Sequence, residues 1–196
     1  MGRDAKHIDR RILRSRKAII QAFERLLVDN DLSRITVSAI AREANVDRKT
    51  FYVHFGTIDG LLDAVAEDIV ADVLNEVDAR VGALDEELRP AATPGTFFDI
   101  LNEVISCNLV LNRRFFESVS TEVLLERIQR PFTEMVAERG LTPDGMSREA
   151  LEYRVAFMLG GIISVYRRWI LSDGEFPVEE VSRAACELTR HGLSGM

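Results

Sequence analysis

The chain has 196 residues, which is long enough to bury a core in one larger domain or two small ones. Apolar residues make up 46% and charged residues 29%, and this balance excludes disordered and fibrous proteins. The net charge of −7 is unevenly distributed: residues 1–60 carry 12 Lys and Arg against 8 Asp and Glu, whereas residues 61–196 carry 13 against 24. A basic segment followed by an acidic one indicates that only the N-terminal part meets a polyanion.

The sequence predicts neither a membrane span nor an export signal. The longest uncharged apolar run, residues 155–166, is shorter than the roughly 20 residues that a bilayer span needs. The first residues are charged but are not followed by an apolar stretch, as a secretory signal would be. We therefore expect a cytoplasmic protein without membrane association, in which Cys107 and Cys186 are reduced core thiols.

Apolar residues recur at helical spacing along almost the whole chain, and no segment alternates with a period of two, so an all-α fold is predicted. Gly, Pro and acidic residues make residues 82–95 the clearest linker, and Pro131 suits the first turn of a helix. The predicted helices cover residues 10–28, 37–44, 48–55, 58–81, 96–112, 114–129, 131–140, 146–172 and 177–192.

Residues 36–55 contain two short predicted helices joined by a turn of three or four residues. Thr36 and Asp47 are expected to cap these helices, because their side-chain oxygens can accept hydrogen bonds from free amides of the next turn. Asn45 suits the tight turn between them. The outer face of the second helix presents Arg48, Lys49, Tyr52 and Val53. This layout is typical of a helix-turn-helix, whose second helix enters the major groove of DNA.

The stretch from Ile12 to Leu62 resembles the DNA-binding domain of the TetR/AcrR family of bacterial transcription regulators. The resemblance rests on Thr36, Ile40, Ala41, Ala44, Val46, Thr50, Tyr52, His54, Phe55 and Leu61. The rest of the chain is similar to the family in its length, its helical pattern and its last two helices, which family members commonly use to dimerise.

The resemblance implies specific roles for residues of this segment. The implied DNA base contacts are Arg48, Lys49 and Val53, and the implied phosphate contacts are Thr36, Ser38, Thr50, Tyr52 and His54. Ile58 departs from the family pattern, which usually has a lysine there, and so removes one expected phosphate contact. The basic residues Arg3, Lys6, Arg10, Arg11 and Arg14 either supply charge to DNA instead or form only a solubilising tail.

The predicted helix over residues 96–112 is apolar on nearly every side, which is typical of a helix buried all round. Polar residues in it are either satisfied core groups or the lining of an effector pocket, since ligand sites are apolar with a few polar groups. Two tyrosines of the predicted helix over 146–172 have the same two interpretations. The candidate pocket residues are Asn102, Cys107, Asn108, Tyr153 and Tyr166.

Small residues recur at every fourth position of the predicted helix over 146–172, and Gly161 adds a second glycine beside Gly160. Two glycines inside a helix cost about 1 kcal/mol each relative to alanine. Close approach of another helix would offset this cost, either across a dimer interface or inside the subunit. Together with the apolar face of the last helix, the predicted dimer interface comprises Ala156, Gly160, Ser164, Val181, Ala185 and Leu188.

The sequence thus predicts a DNA-binding domain over residues 1–56 and a helical effector-binding and dimerisation domain over residues 57–196. The predicted protein is a ligand-responsive repressor that binds a pseudo-palindromic operator in double-stranded DNA as a homodimer, with a small-molecule effector of unknown identity. No catalytic motif or zinc spacing is present, so we expect neither an enzyme nor a cofactor or metal. The alternatives are a helical small-molecule-binding or adaptor protein without DNA binding and an enzyme on a helical scaffold.

Overall fold

The computed structural model describes residues 2–142, 145–172 and 176–194, with side chains over 10–89, 93–142, 145–172 and 176–189. All regular structure in these residues is helical, which confirms the predicted all-α class. The helices are α1 (Gly2–Asp29), α2 (Val37–Glu43), α3 (Arg48–Phe55), α4 (Ile58–Gly82), α5 (Arg89–Ser106), α6 (Leu109–Ser118), α7 (Thr121–Glu138), α8 (Arg148–Leu171) and α9 (Val178–Ser194).

The chain divides into two compact units, an N-terminal unit of residues 1–65 and a C-terminal unit of residues 66–196. This division falls within α4. The predicted functional boundary between residues 56 and 57 stays a prediction. None of the described helices combines the length and hydropathy that a bilayer span requires.

In the N-terminal unit, α1, α2 and α3 pack against one another around one apolar core. Buried residues recur along α1 at three- and four-residue spacing, so that one face of this helix covers α2 and α3. The side chains at the centre of the core are Ile19, Phe23, Leu27, Ile40, Phe51 and Leu61. An ion pair of 2.7 Å between Arg25 and Glu43 joins α1 to α2 at the surface.

In the C-terminal unit, α8 packs against α6, α7 and α9, and α9 also packs against α5. One core cluster consists of Phe98, Ile105, Ile162, Tyr166, Ile170 and Ala185, and a second of Val73, Val77, Val81 and Ile100. Arg80 on α4 donates two hydrogen bonds, of 2.8 and 2.7 Å, to the carboxylate of Glu103 on α5. This bidentate pair joins the two helices at the surface.

The segment around the predicted linker differs from the sequence prediction. α5 begins at Arg89, so the prediction of a linker over residues 82–95 is wrong for its second half. Pro90 lies in the first turn, where a missing N–H costs nothing, whereas Pro94 lies further inside the helix. Proline and glycine content alone therefore did not identify this linker's end.

The predicted continuous helix over residues 96–112 is also wrong. α5 ends at Ser106, and Asn108 begins a new helix by accepting a hydrogen bond of 3.2 Å from the backbone N–H of Leu111. The expected burial on all sides fails as well, because Leu109 and Val110 are 46% and 61% exposed. A local cap therefore ended the helix although apolar periodicity continued through it.

The helices predicted over 114–129 and 131–140 are not separate. Residues 121–138 form the single helix α7, with Pro131 inside it and not in a first turn. Pro131, Phe132 and Thr133 are all buried, and Thr133 donates a 2.8 Å hydrogen bond to the carbonyl of Gln129. Tertiary packing of this stretch offsets the loss of the helical hydrogen bond that Pro131 cannot donate.

Candidate nucleic-acid interface and ligand cavity

The turn between α2 and α3 has the geometry that its residues favour. Thr36 caps α2 by accepting a hydrogen bond of 3.2 Å from the N–H of Ala39. Asn45 adopts φ +53°, which asparagine tolerates better than most residues, and the N–H of Val46 donates to the carbonyl of Ala41 at 2.9 Å. The predicted caps and turn residue are confirmed, and they fix α3 at a defined angle to α2.

α3 is capped by Asp47, whose Oδ1 accepts a 2.7 Å hydrogen bond from the N–H of Thr50. This backbone hydrogen bond is the main cause that lowers the pKa of the exposed Asp47 carboxyl. Phe51 and Phe55 face the core. The opposite face carries Arg48, Lys49, Tyr52 and Val53, all of which are exposed.

The two cations at the start of α3 are exposed and make no salt bridge with a described residue. The side chains of Arg48 and Lys49 make no salt bridge within 4 Å of a described carboxylate, although the backbone N–H and the charge of Lys49 both interact with the neighbouring Asp47. Val53 is 76% exposed and Tyr52 is 54% exposed on the same face. The exposed face of α3 therefore combines two cations with apolar side chains, and the implied base contacts stay a prediction.

The implied phosphate contacts lie on or next to the same two helices. Thr36 and Ser38, at the start of α2, are exposed, and Thr50 is half-buried. The Nε2 atom of His54 is 2.7 Å from Ser15 Oγ on α1. In the free protein this ring nitrogen joins two helices, so the implied phosphate contact of His54 stays a prediction.

Two glycines shape the connection from α3 to α4. Gly56 ends α3 with φ +69°, and the hydroxyl of Thr57 caps α4 by accepting a 2.9 Å hydrogen bond from the N–H of Gly60. A Cβ atom on Gly60 would lie 2.1 Å from the carbonyl oxygen of Phe55. Only glycine at position 60 therefore allows α4 to start this close to the end of α3.

The helix-turn-helix lies within a segment that known proteins share. The family model described as bacterial regulatory proteins, tetR family, matches residues 19–65. The N-terminal unit is similar to this family over the matched residues, which are about a quarter of the chain. HTH-type transcriptional regulator AlkX of Mycobacterium tuberculosis is 37% identical over 71 residues, and the uncharacterized HTH-type transcriptional regulator YxbF of Bacillus subtilis is 36% identical over 73. The matched segments are 34% and 37% of this chain, but only 34% and 19% of those two relatives.

Solved structures resemble the fold of almost the whole chain. Thermus thermophilus FadR, a TetR-family transcriptional repressor crystallised with lauroyl-CoA, has a TM-score of 0.62 at 18% identity. The alignment covers 91% of this chain and 94% of FadR. A TetR regulator from Streptococcus agalactiae has a TM-score of 0.57 at 23% identity, with 94% and 98% covered. At these identities the likeness shows the fold alone, and it extends over both units of this chain.

The C-terminal unit contains an apolar cavity of about 260 Å³. Side chains of α4, α5, α7 and α8 line it, among them Leu74, Phe97, Phe132, Val136, Met158 and Ile162. Two charged residues, Asp78 and Arg154, also line it. An apolar cavity with a few polar groups is the general form of a small-molecule site.

The five residues predicted to line an effector pocket lie elsewhere in the C-terminal unit. The buried Tyr166 donates a 2.6 Å hydrogen bond to Oδ1 of Asn102, and burial raises the pKa of the Tyr166 hydroxyl. Cys107 is exposed, Asn108 caps α6, and Tyr153 is 72% exposed. None of them lines the cavity. Their role in effector binding stays an untested prediction.

Sequence reasoning missed Arg154 and Asp78, although a signal for both exists. Arg154 follows Leu151 by three residues and precedes Met158 by four, so it lies on the buried stripe of α8. Asp78 follows Leu74 by four residues on α4. A charged residue in register with an apolar stripe indicates a polar group turned toward the interior.

The residues of the predicted dimer interface fall into two groups. Val181 and Ala185 are buried within the C-terminal unit, and Gly160 lies 3.9 Å, measured from an ideal Cβ, from Leu125 on α7. Ala156 is half-buried, whereas Ser164 and Leu188 are exposed. A Cβ on residue 160 would make only an ordinary van der Waals contact with Leu125, so this distance does not explain the glycine, and the predicted interface stays a prediction.

A different face of α8 is exposed. Tyr153 and Phe157 are 72% and 76% exposed, and Gly161 and Ser164 continue the same face toward the C-terminus. Nothing described lies within 4 Å of a Cβ built on Gly161. Two large aromatic side chains next to small residues form an apolar surface of the kind that mediates protein association.

Proposed function

We propose that the chain is a transcriptional repressor that binds a pseudo-palindromic operator as a homodimer and releases it when a small molecule binds the C-terminal unit. The observation that carries this proposal is the exposed pair Arg48 and Lys49 at the start of α3, neither of which makes a salt bridge with a described residue. Two cations there oppose the helix dipole, so an anionic partner explains their placement. An arginine fork matches O6 and N7 of guanine in the major groove, and lysine also favours guanine.

Hydroxyl and backbone groups near α3 are suited to phosphate. Thr36, Ser38 and Tyr52 present hydroxyl groups at exposed positions, and Thr50 does so at a half-buried one. Such groups fix the register of a protein on DNA without reading its sequence. Since operator DNA in bacteria is in the cytoplasm, the proposal includes a cytoplasmic location.

The proposal requires two copies of α3 in successive half-sites. Half-sites on B-DNA repeat about every 34–36 Å, and a two-fold symmetric dimer matches the symmetry of a palindrome. The exposed α8 face of Tyr153, Phe157, Gly161 and Ser164 supports a self-complementary interface. A ligand then weakens DNA binding if it binds more tightly to a dimer whose α3 helices no longer fit, and a coupling of about 1–3 kcal/mol is typical.

The test starts from selection of binding sites out of a random duplex library by the full chain. For the selected site, Arg48→Ala or Lys49→Ala should cost about 1–3 kcal/mol of binding free energy and relax preference at one base pair per half-site. Arg130→Ala is the matched control, because it removes the same charge from an 84% exposed side chain of the C-terminal unit.

Two outcomes would overturn the proposal. Unchanged sequence preference in Arg48→Ala would contradict base reading by α3. A selection that enriches no motif would favour the alternative function, a small-molecule-binding or adaptor protein without DNA binding.

A further inference from the structure

We propose that the cavity of the C-terminal unit binds an amphipathic carboxylate, with an apolar chain of about ten carbon atoms in the cavity and its carboxylate on Arg154. The inference deepens the proposed function, since it names the chemical class of the small molecule. It also stands by itself as a statement about binding.

The wall of the cavity sets the chemistry of the tail. Leu74, Phe98, Phe132, Val155 and Ile162 line it and are each no more than 7% exposed. An engineered apolar cavity of about 150 Å³ holds one benzene ring. By proportion, 260 Å³ holds an apolar group of roughly ten carbon atoms.

The two charged lining residues differ in whether their charge is already compensated. Asp78 accepts a 2.7 Å hydrogen bond from Nε of Arg139, which is the residue that follows α7. The same guanidinium donates to Asn75 at 2.6 Å and to the carbonyl of Met135 at 3.2 Å. Asp78 is therefore part of a complete network between α4 and α7, and it does not call for a cationic ligand.

Arg154 has no such partner. Its side chain is half-buried on α8 and makes no hydrogen bond or ion pair with any residue that the structure describes. A half-buried guanidinium beside an apolar wall loses part of its hydration, and this cost is recovered when an anion binds. Its fork of N–H groups matches the two oxygens of a carboxylate.

Charge and shape together distinguish among ligands with the same tail. A fatty alcohol fills the apolar wall equally well but leaves the guanidinium without a counter-charge. An alkylammonium ion would place a second positive charge beside Arg154. A carboxylate satisfies both parts of the site, so the geometry favours it over the other two.

The experiment is calorimetric titration of the full-length protein with decanoate, decanol and decylammonium, which share one tail and differ in head group. Decanoate should bind about ten- to hundredfold more tightly than decanol, because hydrogen bonds to charged groups are worth more than neutral ones. Among shorter carboxylates, each added methylene should tighten binding about fourfold until the cavity is full, near ten carbons.

Variants identify the site. Arg154→Gln should remove the preference for decanoate over decanol, whereas Arg154→Lys should keep part of it. Val136→Trp, which fills the cavity, should abolish binding of both ligands. Arg148→Gln is the matched control. It also removes an arginine from α8, but Arg148 pairs with Glu152 and does not line the cavity. Thermal unfolding of each variant checks that it is folded.

The results separate this inference from the proposed function. Equal affinities of decanoate and decanol for the wild type, tightest binding of decylammonium, or an unchanged preference in folded Arg154→Gln would overturn it. If decanoate binds as stated but leaves the affinity for the selected DNA unchanged, the ligand class stands and control of DNA binding by this cavity is wrong.

Discussion

Ser15 Oγ and Nε2 of His54 lie 2.7 Å apart, and this hydrogen bond joins α1 to the C-terminal half of α3. The Ser15 hydroxyl lies 3.0 Å from the carbonyls of Arg11 and Ile12 and donates its proton within α1. It therefore accepts from an N–H on Nε2 of His54. Nearby, the guanidinium of Arg16 lies 5.8 Å from the ring centre of Phe55. The end of the proposed recognition helix is thus held by α1.

We expect the fold around His54 to lose stability at acid pH, although the N–H on Nε2 that bonds Ser15 is present in both protonation states. Burial, and to a smaller extent Arg16, lowers the pKa of His54 from its ordinary value of 6.5. The unfolded chain then binds the proton more readily than the folded one, so stability falls as pH falls below about 6.5. The protection factors of α1 and α3 amides, which correct for the intrinsic pH dependence of exchange, should fall in this range in the wild type. His54→Gln should lose this pH dependence, and an equal dependence in both proteins would contradict the role of His54.

Gly60 supports a prediction on stability. Alanine normally stabilises a helix by about 1 kcal/mol relative to glycine. At position 60, however, the new Cβ would meet the carbonyl oxygen of Phe55, so Gly60→Ala should destabilise the chain by about 1–3 kcal/mol. Urea unfolding measures the change. Gly82→Ala is the control, because its Cβ meets nothing within 4 Å, and a Gly60→Ala variant as stable as this control would refute the close approach.

The parts of the site that sequence predicted correctly depend on local chemistry. Thr36 and Asp47 accept hydrogen bonds from amides three residues ahead. Asn45 adopts the positive φ of the turn, a conformation that asparagine tolerates better than most residues. Residue spacing alone contains this information. The exposure of Arg48 and Lys49 follows in turn, because Phe51 and Phe55 fix which face of α3 is buried.

The parts that sequence missed depend on distant segments. The cavity gathers side chains from α4, α5, α7 and α8, so no local pattern identifies its lining. Tyr166 and Asn102, two of the candidate pocket residues, are 64 positions apart in sequence but form a hydrogen bond with each other. Spacing along one helix could not predict this pairing. The break between α5 and α6 is different, because the sequence does contain a signal for it. Asn108 is a favourable N-cap residue, but the prediction gave more weight to the apolar periodicity that continues through it.

Ile58, the first residue of α4, gives a prediction on the salt dependence of DNA binding. This half-buried residue stands where the family usually has a lysine. Ile58→Lys should tighten binding to all DNA sequences and steepen the slope of log affinity against log salt by about one unit, because one more phosphate is neutralised. Leu84→Lys adds the same charge to the C-terminal unit and should leave the slope unchanged. Equal slopes for Ile58→Lys and the wild type would show that this end of α4 does not face the DNA backbone.

The exposed face of α8 gives a prediction on assembly. Phe157 is 76% exposed, and its face continues through Gly161 and Ser164, so a symmetric pairing of α8 would bury it against a second copy. Phe157→Asp introduces a charge that this interface would have to bury without a partner, and Gly161→Leu fills the space needed for close approach. Both variants should therefore be folded monomers by light scattering, with DNA affinity reduced because the two half-sites are no longer bound together. Val110→Asp makes the same kind of change at a 61% exposed residue of α6 and should leave the dimer intact. An unchanged dimer in both Phe157→Asp and Gly161→Leu would place the subunit interface on another surface of the C-terminal unit.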